Sequence, residues 1–226
     1  MPFDNAGRPG PGRGTGERAI NLPPALMWLI GINVAIQLLR TLLGDEADQA
    51  LVLQFGLVPA AYSGGGHDLL AQVAAPFTYQ FLHGGWMHLI INMVSLAAFG
   101  APVERLLGAR RFVLFYLSAG LVAGLVHVVL FSESMDPVIG ASGAISGVFG
   151  GVLMLMRYVG SLTSLLPVAG IWIALNVFFG IFGGTPGAAG EQVAWVAHIG
   201  GFVYGLLTIR LFLPRHLRPP PSEKED

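Results

Sequence analysis

Ser142 lies in the run Gly140-Ala141-Ser142-Gly143-Ala144-Ile145-Ser146-Gly147, inside a stretch apolar enough to sit in a membrane. Two other apolar stretches carry a histidine: His88 in His88-Leu89-Ile90-Ile91-Asn92, and His198 in Ala197-His198-Ile199-Gly200-Gly201. A serine hydroxyl is a poor nucleophile until a neighbouring imidazole takes its proton. Ser142 and His198 supply that pair, nucleophile and general base. An acidic third member usually orients the imidazole, and neither stretch contains Asp or Glu. The chemistry indicated is therefore that of a dyad. His88 and Asn92 are spaced i, i+4, so they share a helix face. Both can donate hydrogen bonds, and with the Ser142 backbone N–H they could form an oxyanion hole. The plainer reading makes Ser142 a small residue in a packing face, and Asn92 interhelical glue worth about 1 kcal/mol. The cost of keeping a hydroxyl, two imidazoles and an amide in a bilayer favours chemistry.

The elements that must position these groups are membrane spans. Of the 226 residues, 54% are hydrophobic and 11% charged, and the mean hydropathy is +0.66. Soluble domains carry about 25% charged residues. Apolar stretches of about 20 residues recur, the length that spans a bilayer. The expected spans are Ala25–Leu43, Trp86–Leu107, Phe112–Phe131, Ala141–Met156, Leu162–Phe182 and Val193–Ile209. The fold class predicted is an all-α polytopic membrane bundle of six helices, one domain over residues 23–213. Residues 1–22 and 214–226, rich in Gly, Pro and charge, read as tails. The first apolar stretch is too long for a cleaved signal peptide and lacks a cleavage site, so it reads as a retained span.

Charge orients the spans. Arg40 alone among Lys and Arg falls on the side of the loop after the first span. The others cluster at the termini and after the second and fourth spans, which places both termini in the cytoplasm. The opposite loops carry Asp45, Glu46, Asp48, Asp68, Glu133, Asp136 and Glu191. Spans two, four and six then run inward, with His88, Ser142 and His198 each within roughly 10 Å of the outer end. Gly140, Gly143, Gly147, Gly150 and Gly151 strip side chains from span four, and Gly201 and Gly205 form a G-x-x-x-G on span six. Smooth faces let these two helices approach closely and bring Ser142 to His198. The long outer loop Gly44–Gly85 contains apolar pieces too short to span, which should lie in the interface or fold back on the bundle, with a flexible break at Ser63-Gly64-Gly65-Gly66. Asn176 and Pro167 mark span five as a looser helix suited to a lateral gate.

These residues resemble the rhomboid intramembrane serine proteases over about Phe77 to Gly205. The resemblance rests on His88-x-x-x-Asn92, on Gly140-x-Ser142-Gly143, and on Ala197-His198-x-x-Gly201-x-x-x-Gly205, with Glu104-Arg105 and Gly108 after span two. It implies a six-helix bundle with a cavity open to the outside and cleavage of transmembrane substrates near their outer ends. It implies Ser142 as nucleophile, His198 as base, His88 and Asn92 as oxyanion ligands, no cofactor, and a bacterial inner membrane. Two positions depart from the family pattern. Ala74 and Ala75 stand where many members carry Trp-Arg. Ser146 stands where many place an aromatic ring against the catalytic histidine, a part that Trp195, Phe149 or Tyr204 could take.

Other classes fit poorly. The net charge of -1 gives no hint of nucleic acid, and the absence of cysteine excludes disulfides and thiolate chemistry. No H-E-x-x-H motif marks a zinc protease, and no span holds two aspartates. A transporter would line its full depth with polar groups, whereas these sit in the outer half. A client-binding rhomboid-like protein without catalysis typically lacks the serine or histidine; this chain has both. Of the remaining polar residues, His83 is interfacial or supports the site, and His127 lines the cavity or is a satisfied polar group. His67 and His216 read as solvated, Glu104 with Arg105 as an inner structural cap, and Trp28, Trp86 and Tyr158 as the aromatic belt.

Overall fold

The computed structural model describes residues 21–64, 68–156, 162–182 and 195–217, without the side chains of 162–165 and 179–182. Most of both expected tails, Gly65, Gly66, His67, Tyr158, Glu191 and Val193 lie outside these residues. Among the described residues the helices are α1 (Pro24–Thr41), α2 (Asp45–Phe55), α3 (Leu69–Thr78), α4 (Trp86–Leu107), α5 (Ala109–Leu130), α6 (Ser142–Met156), α7 (Leu162–Phe182) and α8 (Trp195–Phe212). The β pairing among them is an isolated bridge between Leu57 and Val138. Four helices, α1, α4, α5 and α8, are long and apolar enough to cross a membrane. Helix α6 is apolar but has 15 residues, about 22 Å of rise, short of a ~30 Å hydrocarbon core. Over Leu166–Phe178, α7 is apolar as well.

Helix α6 is the centre of the bundle. Its buried positions run on all sides, from Gly143 to Leu153, and it packs against α8, α5 and α4. The glycines explain how closely. A Cβ on Gly201 would strike the Gly143 carbonyl, and one on Gly205 the Gly147 carbonyl. A Cβ on Gly147 would meet the Ala119 methyl of α5. Helices α6 and α8 therefore touch backbone to backbone, the arrangement that small-xxx-small faces permit. Helix α7 is peripheral, packed on α8 and less on α6.

Polar clamps set the ends of α1. Pro24 opens the helix, where its missing N–H costs nothing. The buried Glu104 carboxylate of α4 accepts from the N–H groups of Ala25 (2.9 Å) and Leu26 (2.6 Å), satisfying donors that a helix start leaves unpaired. Arg105 bonds the Asn21 carbonyl. At the other end, Arg40 is buried. It grips Asp48 of α2 through Nε (2.7 Å) and Nη2 (2.9 Å) and donates from Nη1 to the His83 carbonyl (2.6 Å). Arg40, set apart by the charge distribution, is thus a structural clamp.

The segment between α1 and α4 folds back on the bundle. Leu57 and Val138 exchange two backbone bonds, and the Ala60 N–H reaches the Ser134 carbonyl at 2.9 Å. Tyr79 donates its hydroxyl to the Gly120 carbonyl of α5 at 2.6 Å. Ala75 is buried against Leu57 and Tyr79, so the small residue suits a helix pressed onto the bundle. The other face of α3 exposes Leu69, Leu70, Val73 and Phe77, an apolar surface of the kind that lies against lipid.

Candidate active site

Ser142 is the first residue of α6. The chain enters through Gly140, whose φ of +128° favours glycine. A Cβ there would also meet His88 Nε2 at 3.0 Å and Ser142 Oγ at 3.6 Å. The bare Gly140 α-carbon therefore lets the imidazole of α4 and the hydroxyl of α6 share one small space. The Gly140 N–H is held by the Tyr79 carbonyl at 2.9 Å, so the outer loop braces the approach to the serine.

His198, in the first turn of α8, presents Nε2 to Ser142 Oγ at 2.7 Å. That is a normal length for a hydrogen bond ending on a hydroxyl. The contact follows from the α6–α8 glycine seam, whose Gly143–Gly201 crossing lies one residue beyond the serine and three beyond the histidine. The other ring nitrogen, Nδ1, lies 2.7 Å from Asn176 Oδ1 on α7. The dyad expected from sequence thus has a third, uncharged neighbour. Asn176, read as a loosening residue of span five, faces the histidine.

His88 Nδ1 accepts the Gly84 N–H at 3.2 Å. In the neutral ring the proton then sits on Nε2, the atom turned toward Gly140 and the serine. Asn92 is buried one turn further along α4, and its Nδ2 donates to the His88 carbonyl at 3.0 Å. An amide nitrogen carries two hydrogens, so one remains to serve a ligand. The Ser142 N–H is a helix-start donor at the positive end of α6. His83 meets the His88 ring edge-on, centroids 5.1 Å apart. Burial, with His88 and Arg40 close by, pushes the His83 imidazole down to about 3, so it stays neutral.

Ser146, at the position of the common aromatic, donates its hydroxyl to the Ser142 carbonyl at 2.7 Å. Two of the three suggested substitutes are engaged elsewhere: Phe149 packs with Phe99, Trp172 and Phe202, and Tyr204 stacks on Phe115 and bonds Ser118. His127 is buried with its ring stacked on Phe131. A cavity of about 350 Å³ opens beside the site, lined by Arg40, Gln49, Val52, Gly84, Pro137 and Ile139 among others. It reaches the residue that bonds His88 and the residue that precedes Gly140.

A family model described as the Rhomboid domain matches residues 70–215. The chain is similar to RHOMBOID-like protein 4 of Arabidopsis thaliana, 31% identical over 132 residues, covering 56% of this chain and 31% of that protein. It is 33% identical over 130 residues to RHOMBOID-like protein 5 of the same plant, covering 55% of this chain and 39% of that protein. It is 34% identical over 132 residues to rhomboid protease GluP of Bacillus subtilis (strain 168), covering 55% of this chain and 23% of that protein. The chain thus spans well under half the length of these curated relatives.

Proposed function

Since the chain belongs to the rhomboid family, and is an integral membrane protein, we propose that it is a serine endopeptidase that cuts transmembrane segments of other proteins. The single observation that carries this reading is the Ser142 Oγ–His198 Nε2 contact of 2.7 Å, made beside His88 Nε2 across Gly140. In the reaction, Ser142 Oγ attacks the scissile carbonyl carbon while His198 Nε2 takes the hydroxyl proton. The oxyanion is received by His88 Nε2–H, Asn92 Nδ2–H and the Ser142 N–H. The imidazolium gives its proton to the leaving amine, the C–N bond breaks, and an acyl-serine remains. Water, deprotonated by the same imidazole, releases the new carboxylate and restores the serine.

Six spans with cytoplasmic termini would put this chemistry near the outer face. The shortness of α6 supports that placement, because a helix of about 22 Å lets Ser142 begin below the membrane surface. The test is Ser142→Ala with a single-span substrate in proteoliposomes. The expected result is a folded protein with no cleavage; cleavage at the wild-type rate refutes the mechanism.

A further inference from the structure

We propose that Asn176 is a positioning residue for the base: it fixes His198 in the one tautomer that can take the proton of Ser142, so that the histidine works only while α7 is docked. This deepens the protease reading and rests on it.

The amide orientation is determined by its two partners. Asn176 Nδ2 donates to the Trp172 carbonyl of its own helix at 2.8 Å, and only the amide nitrogen can donate to a carbonyl. Oδ1 is therefore the atom that faces His198 Nδ1 at 2.7 Å. An amide oxygen only accepts, so Nδ1 must carry the imidazole proton. Nε2 is then bare, and its lone pair points at Ser142 Oγ, 2.7 Å away. In the opposite tautomer two lone pairs would face each other at Asn176, and Nε2 would have nothing to accept with.

An orienting acceptor is usually a carboxylate. A carboxylate inside an apolar bundle is costly, whereas an amide supplies the same lone pair without a buried charge. It holds the ring without stabilising the imidazolium by charge. The aromatic ring that many family members place where Ser146 stands is likewise unnecessary for orientation here, since the histidine is held at both nitrogens.

The bond also ties the chemistry to the periphery of the bundle. Asn176 sits on the peripheral helix, whose packing is mainly on α8. Trp172, one turn earlier, stacks on Phe202 of α8 with centroids 4.6 Å apart. That aromatic contact sets the height at which Asn176 meets His198.

The test compares Asn176→Ala, Asn176→Asp and Ser142→Ala in the full chain in proteoliposomes, following cleavage of a single-span substrate and labelling of Ser142 by a small fluorophosphonate. Asn176→Ala should lower kcat about 10- to 100-fold with KM within about threefold, and slow labelling in parallel, a part of the roughly 10²- to 10⁴-fold that a well-placed acid–base group contributes. Asn176→Asp restores an acceptor and should exceed the alanine variant at least about fivefold. An ionised carboxylate there favours the imidazolium, so the low-pH limb of its kcat profile should move to higher pH. The inference is overturned if Asn176→Ala stays within about threefold of wild type, or if Asn176→Asp is no faster than Asn176→Ala at any pH. Ser142→Ala separates the two claims. If it cleaves normally the protease reading falls; if it is dead while Asn176→Ala is fully active, only the role of Asn176 falls.

Discussion

Each polar residue of the site has a partner that limits what it can do. His88 accepts a backbone N–H at Nδ1 and so offers a donor at Nε2; His198 faces an acceptor at Nδ1 and so offers a lone pair at Nε2. Two imidazoles thereby take opposite roles on either side of one serine. His88→Ala should lower kcat about 10²- to 10³-fold, the usual cost of one oxyanion donor, with KM nearly unchanged in steady-state cleavage assays. The base must be neutral to accept a proton, so protonation of His198 removes activity. Cleavage should accordingly fall on acidification, once the buried ring becomes charged, in steady-state assays carried into the acid range; activity that persists unchanged through that range would contradict a histidine base. Ser142, His88, Asn92 and His198 were legible as candidates because polar residues stand out in apolar spans. Asn176 was visible as a polar residue but not as a partner. Its contact depends on how α7 is rotated against α8, and α7 is apolar along Leu166–Phe178 without a helical face that sequence periodicity would reveal. Arg40 was an anomaly of charge distribution, because its partners Asp48 and the His83 carbonyl come together only when the outer loop folds back.

At the scale of elements, the site depends on the α6–α8 seam. Glycine spacing made that seam legible, and the collisions that a Cβ would cause are with backbone, which cannot rotate away. Gly205→Val should therefore force the helices apart, costing about 1–3 kcal/mol or more, and abolish cleavage, read as a lower melting temperature in detergent and loss of labelling at Ser142. Gly31→Ala is the internal control. Nothing lies within 4 Å of a Cβ there, so activity should be unchanged. The return of the loop between α1 and α4 to the bundle was one of two fates its short apolar pieces allowed, and its register was not legible, because backbone bonds such as Leu57–Val138 leave no mark in side-chain pattern. Helix α7 differs from the seam in being held mainly by side chains. If it moves aside to admit substrate, a chemical crosslink of matched span between cysteines introduced on α7 and α4 should stop cleavage of a single-span substrate while fluorophosphonate labelling persists. Equal loss of both readouts would mean that the tether distorts the site rather than closing a gate.

Over the whole molecule, α1 connects the two ends of the bundle without touching the chemistry. Its 18 residues rise about 27 Å, from Glu104 at one end to Arg40 at the other. The Glu104 clamp ties α1 to α4 next to the turn at Gly108, whose φ of +78° lets α5 follow at once. The Arg40 clamp ties α1 to α2 and to the His83 carbonyl, five residues before His88. The Glu104 cap was legible from Glu104-Arg105, because a buried acid in a span must be paired; the Arg40 clamp was not. Glu104→Ala leaves two helix-start N–H groups unpaired and should cost about 1–2 kcal/mol, as lost caps do. Arg40→Ala orphans the His83 carbonyl, worth about 1–3 kcal/mol, and frees the loop that positions His88. The sites are more than 10 Å apart with no shared partner, so their effects on stability should add within about 0.5 kcal/mol. Their effects on catalysis should not match: Arg40→Ala should lower kcat several-fold through His88, whereas Glu104→Ala should leave kcat of the folded fraction intact. Thermal unfolding and active-site titration of the two single variants and the double variant measure both quantities, and equal kcat losses in the single variants would show that α1 acts as one rigid strut rather than as two separate clamps.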